Sequence, residues 1–574
     1  MKRRGRFVAV AASVALAGGL AVLAVAGPSA TASPNPVIDP ANGHAKLGQK
    51  SLPHPSGGTE VSYDERALAA DLQSTIGSDT PPDATVSALG CANRGSATNP
   101  RANQDCTLRR QAEEQVRINP LDPNNIVVGQ NDSRVGFNKC GFDYSLDGGT
   151  TWGDGLPPFS QHLSLVGHTY DAASDPALTF DGTGRAWFSC VVFDVNTNAS
   201  GLFVVPSSVG LKGSAYANVG AGASPFVVAE DASGKQLFDK EFIVADSRPN
   251  STAVYVTFTD FEASPNCKRS TNRTGQCQSP IMISKWTGSS WTAPLQISGQ
   301  SALCINGDAF NPRLPANSCN QDQGSFPVVL PNGDVFVGFS NFNTPTLVNQ
   351  QLGVHVHVSG NTLTADPPVK VGNDDETKLA LCDFGRGPEQ CVDSISVRSD
   401  DFPAVAVDPV DGSHLVATWT DTRSATVPGN YDNVVSESHD GGVHWTDAAG
   451  GGSVLTTTGA YFEPSVAVTA PSSKVVVSTY QANTAQHTSA VGDGTYGYGY
   501  LVSAGSGFAG YLPASDGQAY PSPQANAAQS GFLGDYSSIA AASSGDRVYM
   551  TWSDTRNTSS AGPDEDVFVF RTTT

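Results

Sequence analysis

Short runs of alternating hydrophobic and polar residues recur from about residue 112 to the end of the chain, and they follow one scheme. Each unit has an alternating strand, a turn rich in Asp, Gly, Pro or Asn, and a second hydrophobic strand, a pattern typical of β-hairpins. Seven copies of this unit occur, at 114–132, 175–194, 240–260, 324–341, 401–421, 462–481 and 535–554.

A third strand follows each copy, as in GFDYS, PIMIS or DVFVFR, and successive copies begin roughly 60–85 residues apart. This spacing leaves room for a four-stranded blade with insertions, and radial repetition of such blades limits exposed sheet edges. The sequence therefore predicts an all-β fold, a β-propeller of four-stranded blades, with seven blades favoured and six left open. The alternative is an array of β-sandwiches, which the absence of linkers between the copies disfavours.

The first 110 residues have a different character. Residues 1–32 begin MKRRGR, continue with an apolar stretch and end at Ala30-Thr31-Ala32, which predicts a secretory signal peptide. Residues 33–110 predict a short N-terminal extension, a flexible Pro/Gly-rich leader with one short helix over 63–76 and a disulfide. Residues 111–574 are assigned to the propeller, and no other stretch approaches the ~20 apolar residues of a transmembrane segment.

The net charge of the chain limits the classes of partner that it is expected to bind. There are 54 Asp and Glu residues against 33 Lys and Arg, a net charge of −21. Because such a surface repels phosphate backbones, nucleic-acid binding is not expected. The chain is expected to be a secreted monomer.

Ten cysteines in an exported chain predict disulfides. Proximity along the sequence suggests four pairs, and the fifth pair takes the two cysteines that remain. The predicted pairs are Cys91–Cys106, Cys267–Cys277, Cys304–Cys319, Cys382–Cys391 and Cys140–Cys190.

A specific turn follows the third strand in two copies. Residues 145–152 (SLDGGTTW) fit S-x-D-x-G-x-T-W at every defined position, and residues 438–445 (SHDGGVHW) fit with His444 in place of Thr. The Asp can accept hydrogen bonds from turn amides, the glycines allow positive φ, and the Trp packs between strands. We therefore expect Asp147 and Asp440 to have structural roles.

This turn is the Asp-box, and residues 110–574 resemble the sialidase superfamily of propellers with BNR repeats. The resemblance implies that the Asp-boxes lie on the face opposite the active site. The loops that follow the second strands and those that precede the first strands would then reach the functional face.

The loops after the second strands contain D-[ST]-R three times, at Asp132–Arg134, Asp421–Arg423 and Asp554–Arg556. Sialidases grip the substrate carboxylate with three arginines, so the resemblance implies that Arg134, Arg423 and Arg556 bind substrate, since guanidinium pairs with carboxylate in a bidentate manner. The alternative is that each Asp pairs with its own Arg and locks the blades together. The family's F/Y-R-I-P motif is absent, and Arg117, in VRINP, is the nearest candidate for its arginine.

The loops before the first strands are rich in carboxylates and tyrosines. Because sialidases use a tyrosine nucleophile activated by a carboxylate, the resemblance implies Tyr536 as nucleophile, Glu463 or Glu241 as its base, and Asp175 or Asp171 as acid/base.

Two functions follow from these features. The first is a secreted sialidase-like glycoside hydrolase that releases terminal sialic acid or a related acidic sugar from glycoconjugates. The second is a non-catalytic propeller that binds glycan or protein at the cell surface. No cofactor is required for either, and no catalytic metal is expected, although acidic turns such as 374–376 (DDE) have the oxygen ligands of a structural Ca²⁺ site.

Overall fold

The computed structural model of the chain describes sixteen stretches. They are residues 38–39, 44–45, 53–60, 62, 95–107, 109–157, 167–217, 225–263, 277–383, 388–426, 428–455, 459–483, 494–505, 507–521, 531–559 and 562–574. The predicted signal peptide (1–32) and the predicted helix (63–76) lie outside these residues.

The described part of the chain is all-β, and each of the seven predicted repeats is an antiparallel strand pair that begins a sheet. In each sheet the strands pair in chain order, from first to last. Sheet 1 contains Gln111–Asn119, Asp122–Asp132, Lys139–Ser145 and Gly153–Gly155; sheet 2 contains Ala172–Phe180, Ala186–Phe193, Ser200–Pro206 and Val227–Asp231; sheet 3 contains Gln236–Ala245, Val254–Glu262, Ile281–Lys285 and Leu295–Gln296.

The later sheets keep this strand order: sheets 4 and 6 have further strands on the third strand, sheet 5 has four strands, and sheet 7 has three among the described residues. Sheet 4 contains Asp322–Val329, Val335–Asn341, Val348–Ser359 and Thr362–Ala365, with Val369–Asp375 also on the third strand; sheet 5 contains Ala404–Val407, Leu415–Asp421, Asp432–Ser438 and Ser453–Val454; sheet 6 contains Ala460–Val468, Val475–Ala482, Thr495–Ala504 and Gly507–Phe508, with Leu512–Pro513 and Tyr520–Pro521 also on the third strand; sheet 7 contains Ser538–Ala541, Arg547–Ser559 and Gly562–Thr573.

Four smaller elements complete the secondary structure of the described residues. Ile38–Asp39 pairs with His44–Ala45, and Leu381–Asp383, Pro388–Val392 and Val397–Arg398 form a small sheet between sheets 4 and 5. A helical turn covers 57–60, and Val209–Leu211 is a 3₁₀ turn.

The first strands of the seven sheets contact one another in chain order, and the first strand of sheet 7 contacts that of sheet 1. In sheet 7, residues 100–102 lie beside the third strand, in the place of a fourth strand. The Ala102 amide donates to the Val567 carbonyl at 2.8 Å, and the Val569 amide donates to the Pro100 carbonyl at 3.1 Å. Such a cyclic order is typical of propellers.

Hydrophobic residues pack between neighbouring sheets. The second strand of sheet 2, AWFSCVVF, is buried along its whole length, because sheets cover both of its faces. The disulfides Cys140–Cys190, Cys304–Cys319 and Cys382–Cys391 confirm three predicted pairs, and the first of them joins sheets 1 and 2. Cys91 and Cys267 lie outside the described residues, so the other two pairs stay predictions.

The Asp-box turn joins the third and fourth strands of sheets 1 and 5. Asp147 Oδ1 accepts the amides of Thr150 and Thr151 at 3.0 and 2.9 Å, and Oδ2 accepts the Thr151 hydroxyl at 2.7 Å. Although burial opposes it, these donors lower the pKa of Asp147 to about 2. In the second copy His444 Nδ1 lies 2.6 Å from Asp440 Oδ2, so the imidazole takes the place of the threonine hydroxyl.

A bulge interrupts the first strand of five sheets and positions the site described below. In sheets 1, 2, 3 and 6 the bulge holds a charged residue at positive φ: Glu113 (59°), Asp175 (59°), Lys240 (51°) and Glu463 (50°). Non-glycine residues seldom adopt this conformation, and bulges often redirect a side chain next to a functional site.

Among the described residues, no helix is long and apolar enough to cross a membrane.

Candidate active site

Charged residues from the first strands, and from the loops just before them, meet where the seven first strands come together. We call this group the central cluster. Its members are Glu113, Asp175, Asp239, Lys240, Glu241, Arg398, Asp400, Glu463 and Asp535, and all of them are buried.

Two cations hold the cluster together. The Lys240 ammonium lies 2.8 Å from Asp535 Oδ2 and 4.8 Å from the centre of the Tyr536 ring. Arg398 Nε lies 2.7 Å from Asp535 Oδ1, and its Nη2 lies 3.0 Å from Asp400 Oδ2. Lys240 and Arg398 side chains are each 1% exposed, so both charges depend on these carboxylates for compensation.

The carboxyl groups of the cluster differ in protonation. Burial, reinforced by neighbouring carboxylates, raises the pKa of Glu113, Glu241 and Glu463 well above the ordinary value. Although burial opposes it, Arg398 and Lys240 hold the pKa of Asp535 well below its ordinary value. The cluster therefore combines neutral acids with an ionised aspartate, which is the kind of separation that acid/base chemistry requires.

Three side chains of the site have no hydrogen-bond partner for any of their terminal oxygens among the described residues. They are the Tyr536 hydroxyl and the carboxyl groups of Glu241 and Glu463, all of them buried. Of the three, Tyr536 and Glu463 line one cavity, together with Lys240, Asp400 and Asp535. Burial, followed by the carboxylates of Glu113 and Asp175, raises the pKa of Tyr536 well above 10. Buried polar groups are normally satisfied, so these two are candidates for contact with a ligand.

The structure brings together four of the five residues that the sequence proposes for catalysis. Glu463 and Tyr536 line the cavity, and Asp175 and Glu241 lie near enough to Tyr536 to raise its pKa. Asp171 lies apart and is exposed, with its Oδ2 accepting the Val195 amide at 3.3 Å. The catalytic roles stay predictions.

Sequence reasoning did not single out Glu113 and Arg398. Glu113 occupies the same bulge position as Asp175 and Glu463, so aligning the repeats by their bulges would have indicated it. Arg398 belongs to the small sheet between sheets 4 and 5, which has no counterpart in the repeat.

The three arginines of the D-[ST]-R loops are engaged by carboxylates of the protein. Arg134 Nε donates to Asp132 Oδ2 at 2.7 Å, and its Nη2 lies 2.6 Å from Asp154, on the fourth strand of the same sheet. The other two arginines also form ion pairs with two aspartates each. Arg423 lies 2.6 Å from Asp421 and 2.8 Å from Asp447, and Arg556 lies 2.6 Å from Asp554 and 2.7 Å from Asp516.

Two of these arginines also connect neighbouring sheets. Arg423 Nη2 donates to the Asn373 carbonyl of sheet 4 at 2.6 Å, and Asp516, which holds Arg556, lies between two strands of sheet 6. These contacts are those of the second alternative, in which each Asp pairs with its own Arg and the sheets are locked together.

Arg117 lies at a different cavity, which is mainly apolar and is lined by residues such as Phe180, Val329 and Val405. Its Nη1 donates to the Val116 carbonyl at 2.8 Å, and burial lowers its pKa to about 10. It therefore does not join Tyr536 in the central cavity.

Part of the leader packs against the central cluster. Within residues 53–60, which we call the N-terminal segment, all residues but the half-buried His54 are buried, with Ser56 and Thr59 at 0% exposure. A Pro/Gly-rich composition does not reveal such contacts with residues far along the chain, and the flexibility of the leader stays a prediction.

The acidic turn proposed for Ca²⁺ is partly assembled. Asp374 and Glu376 are buried with Asp401, and one carboxylate oxygen of each lies within 4.8 Å of the others. Asp375 points elsewhere and accepts the Thr377 amide at 2.9 Å. Ca²⁺ binding stays a prediction.

No protein-family model matches the sequence, and no curated protein matches it. Solved structures with a similar fold include the Hadza microbial sialidase Hz136 (11% identity, 77% of this chain and 72% of that chain, TM-score 0.39). Others are the NanB sialidase from Streptococcus pneumoniae (10%, 86% and 72%, 0.37) and the GH93 α-L-arabinofuranosidase of Fusarium graminearum (10%, 72% and 96%, 0.37). Two of these structures are sialidases and one is an arabinofuranosidase, by their own names.

Proposed function

We propose that the chain is a secreted, sialidase-like glycoside hydrolase whose seven sheets are the blades of a propeller and whose active site is the central cluster. One observation carries this proposal. The Tyr536 hydroxyl and the Glu463 carboxyl line the same buried cavity, and neither has a hydrogen-bond partner among the described residues. A glycan is the expected substrate and a monomer the expected state, and the three disulfides support export.

The residues suit a two-step retaining reaction. Tyr536 Oη would attack the anomeric carbon while its proton passes to Glu463 or Glu241, and Asp175 would protonate the departing glycosidic oxygen. Asp175, now ionised, would deprotonate a water that attacks the anomeric carbon and breaks the glycosyl–tyrosine bond, and the protonated Glu463 or Glu241 would return its proton to the departing Tyr536 oxygen. Because burial raises the pKa of Glu463 and Glu241, each is a neutral acid at low pH and becomes a base only above its raised pKa, so activity should increase as pH rises.

An acidic sugar, the substrate that the resemblance implies, would meet arginines that already hold carboxylates. Arg134, Arg423 and Arg556 each pair with two aspartates, so a substrate carboxylate would have to displace resident partners.

The second candidate function is non-catalytic binding of glycan or protein at the cell surface. It is favoured by the N-terminal segment, which covers the central cluster.

A panel of fluorogenic glycosides, both sialosides and neutral glycosides, tests the proposal on the secreted protein. Tyr536→Phe should abolish hydrolysis, because it removes the attacking oxygen and leaves the ring in place. The matched control is Tyr511→Phe, whose hydroxyl bonds Gln518 away from the cluster and should be dispensable. Glycan binding without hydrolysis in the unaltered protein, with Tyr536→Phe unchanged, would favour the second candidate.

A further inference from the structure

The N-terminal segment lies in the position that a ligand would take at the central site, by which we mean the central cluster and the cavity that Tyr536 and Glu463 line. It consists of residues 53–60 and forms a helical turn over 57–60. Its contacts are with members of the central cluster that lie some 180 to 480 residues later in the sequence.

Its hydrogen bonds are mostly donated to the carboxylates. The Ser56 amide donates to Asp239 Oδ2 and the Gly57 amide to Asp535 Oδ2, each at 2.6 Å. The Thr59 hydroxyl donates to Asp239 Oδ1 at 3.2 Å. The segment therefore satisfies the two aspartates with uncharged N–H and O–H donors.

The other end of the segment contacts the guanidinium of the cluster. Arg398 Nη2 donates to the Pro55 carbonyl at 3.3 Å, and His54 Nε2 lies 3.4 Å from Asp400 Oδ1. Arg398 thus receives a neutral carbonyl oxygen from the segment, while its charge is balanced by Asp535 and Asp400.

The fit is close at both glycines. A Cβ atom on Gly57 would lie 1.9 Å from Phe532 Cε2, and one on Gly58 would lie 2.0 Å from Ser174 Oγ. Both distances are far below van der Waals contact, so only a glycine pair can approach the cluster this closely.

The charge of the site restricts what could replace the segment. The central cluster has seven carboxyl groups and two cations, and both cations are already paired with carboxylates. An anionic ligand would add a negative charge to this group, whereas a sugar with several hydroxyls offers the same neutral donors and acceptors as the segment.

We propose that the central site takes a neutral, hydroxyl-rich sugar and that the N-terminal segment is its built-in competitor, so the full chain hydrolyses its substrate slowly until the segment leaves. The predicted hydrolysis rests on the proposed function, whereas the predicted binding of the sugar and of the segment at the central site does not.

The test displaces the segment without altering the central cluster. Gly57→Val introduces the clash with Phe532, and Gly510→Val is the matched control, because a Cβ there meets nothing within 4 Å. Thr59→Val is a milder variant that removes one hydroxyl hydrogen bond and keeps the shape of the side chain. Each protein is assayed against p-nitrophenyl neutral glycosides and a fluorogenic sialoside, and titrated with a synthetic peptide of residues 53–62.

We expect Gly57→Val to hydrolyse a neutral glycoside at least tenfold faster than the unaltered chain, with Thr59→Val in between and Gly510→Val unchanged. The peptide should inhibit Gly57→Val competitively, and a peptide carrying the same Gly57→Val change should not. Hydrogen exchange on the unaltered chain provides a check that does not require a folded variant, since the amides of Ser56 and Gly57 should be protected.

The outcomes separate this inference from the proposed function. Faster hydrolysis of the sialoside alone would overturn the neutral-sugar assignment while keeping the enzyme. Peptide binding to Gly57→Val without hydrolysis of any glycoside would uphold the competitor and overturn the hydrolase. Fast exchange at Ser56 and Gly57, or no binding of the peptide by Gly57→Val, would overturn the inference itself.

Discussion

Asp535 is the residue on which the charge balance of the central cluster depends most. Its two oxygens accept from Arg398 Nε at 2.7 Å, the Lys240 ammonium at 2.8 Å and the Gly57 amide at 2.6 Å. Asp535→Asn keeps the shape of the side chain and removes the charge, leaving two buried cations short of a partner.

Removing one partner of a buried ion pair typically costs about 3–5 kcal/mol. We expect a loss of that size in the free energy of unfolding at pH 7, measured by guanidinium denaturation with tryptophan fluorescence. The exposed Asp411→Asn, which changes charge by the same amount, should leave the free energy of unfolding essentially unchanged.

The stability difference between Asp535→Asn and the unaltered chain should depend on pH in a defined direction. Because the folded pKa of Asp535 lies well below its unfolded value of about 3.9, its contribution is present above that pH and is lost as pH falls further. Asp535→Asn should therefore differ most from the unaltered chain above pH 5 and converge with it in strong acid. A variant as stable as the unaltered chain at pH 7 would refute the cluster as described.

Three further predictions concern the scaffold. Asp147→Ala removes an acceptor of two turn amides and should lower stability by about 1–3 kcal/mol without changing ligand affinity, as denaturation and calorimetry would show; weaker binding by the folded variant would place the Asp-box at the site. Arg423→Ala leaves the buried carboxylates of Asp421 and Asp447 unpaired and should lower the melting temperature while sparing ligand binding; the reverse pattern would restore a substrate role for this arginine. Burial raises the pKa of Glu114 to about 8, so its contribution is present at low pH and is lost as pH rises from about 4 to 8; Glu114→Gln should make the chain roughly 5 kcal/mol more stable than the unaltered protein at pH 9, and an unchanged pH profile of unfolding would count against this burial.

The sheets could be predicted from sequence because their signal is local and repeated. The alternation in 175–194 and 401–421 marks two strands and the turn between them, and the hydrogen bonds of the Asp147 carboxylate are all to residues of its own turn. These signals lie within each repeat.

The site could be predicted only in part, because its contacts join distant parts of the chain. Tyr536, Glu463, Glu241 and Asp175 lie on or just before the first strands, where the sequence analysis looks for them, but the partners of the arginines, Asp154, Asp447 and Asp516, lie elsewhere in the sheets and turns. The placement of residues 53–60 depends on Asp239 and Asp535, which no local pattern connects to a Pro/Gly-rich stretch.

The most direct measurement for the central claim is covalent trapping of the nucleophile. The Gly57→Val protein would be incubated with a 2-deoxy-2-fluoro glycosyl fluoride of whichever sugar it hydrolyses. The protein would then be digested, and its peptides would be analysed by mass spectrometry. The account predicts a glycosyl adduct on the peptide that contains Tyr536, and no adduct in Tyr536→Phe. An adduct on Glu463 or another carboxylate, or continued turnover by Tyr536→Phe, would contradict it.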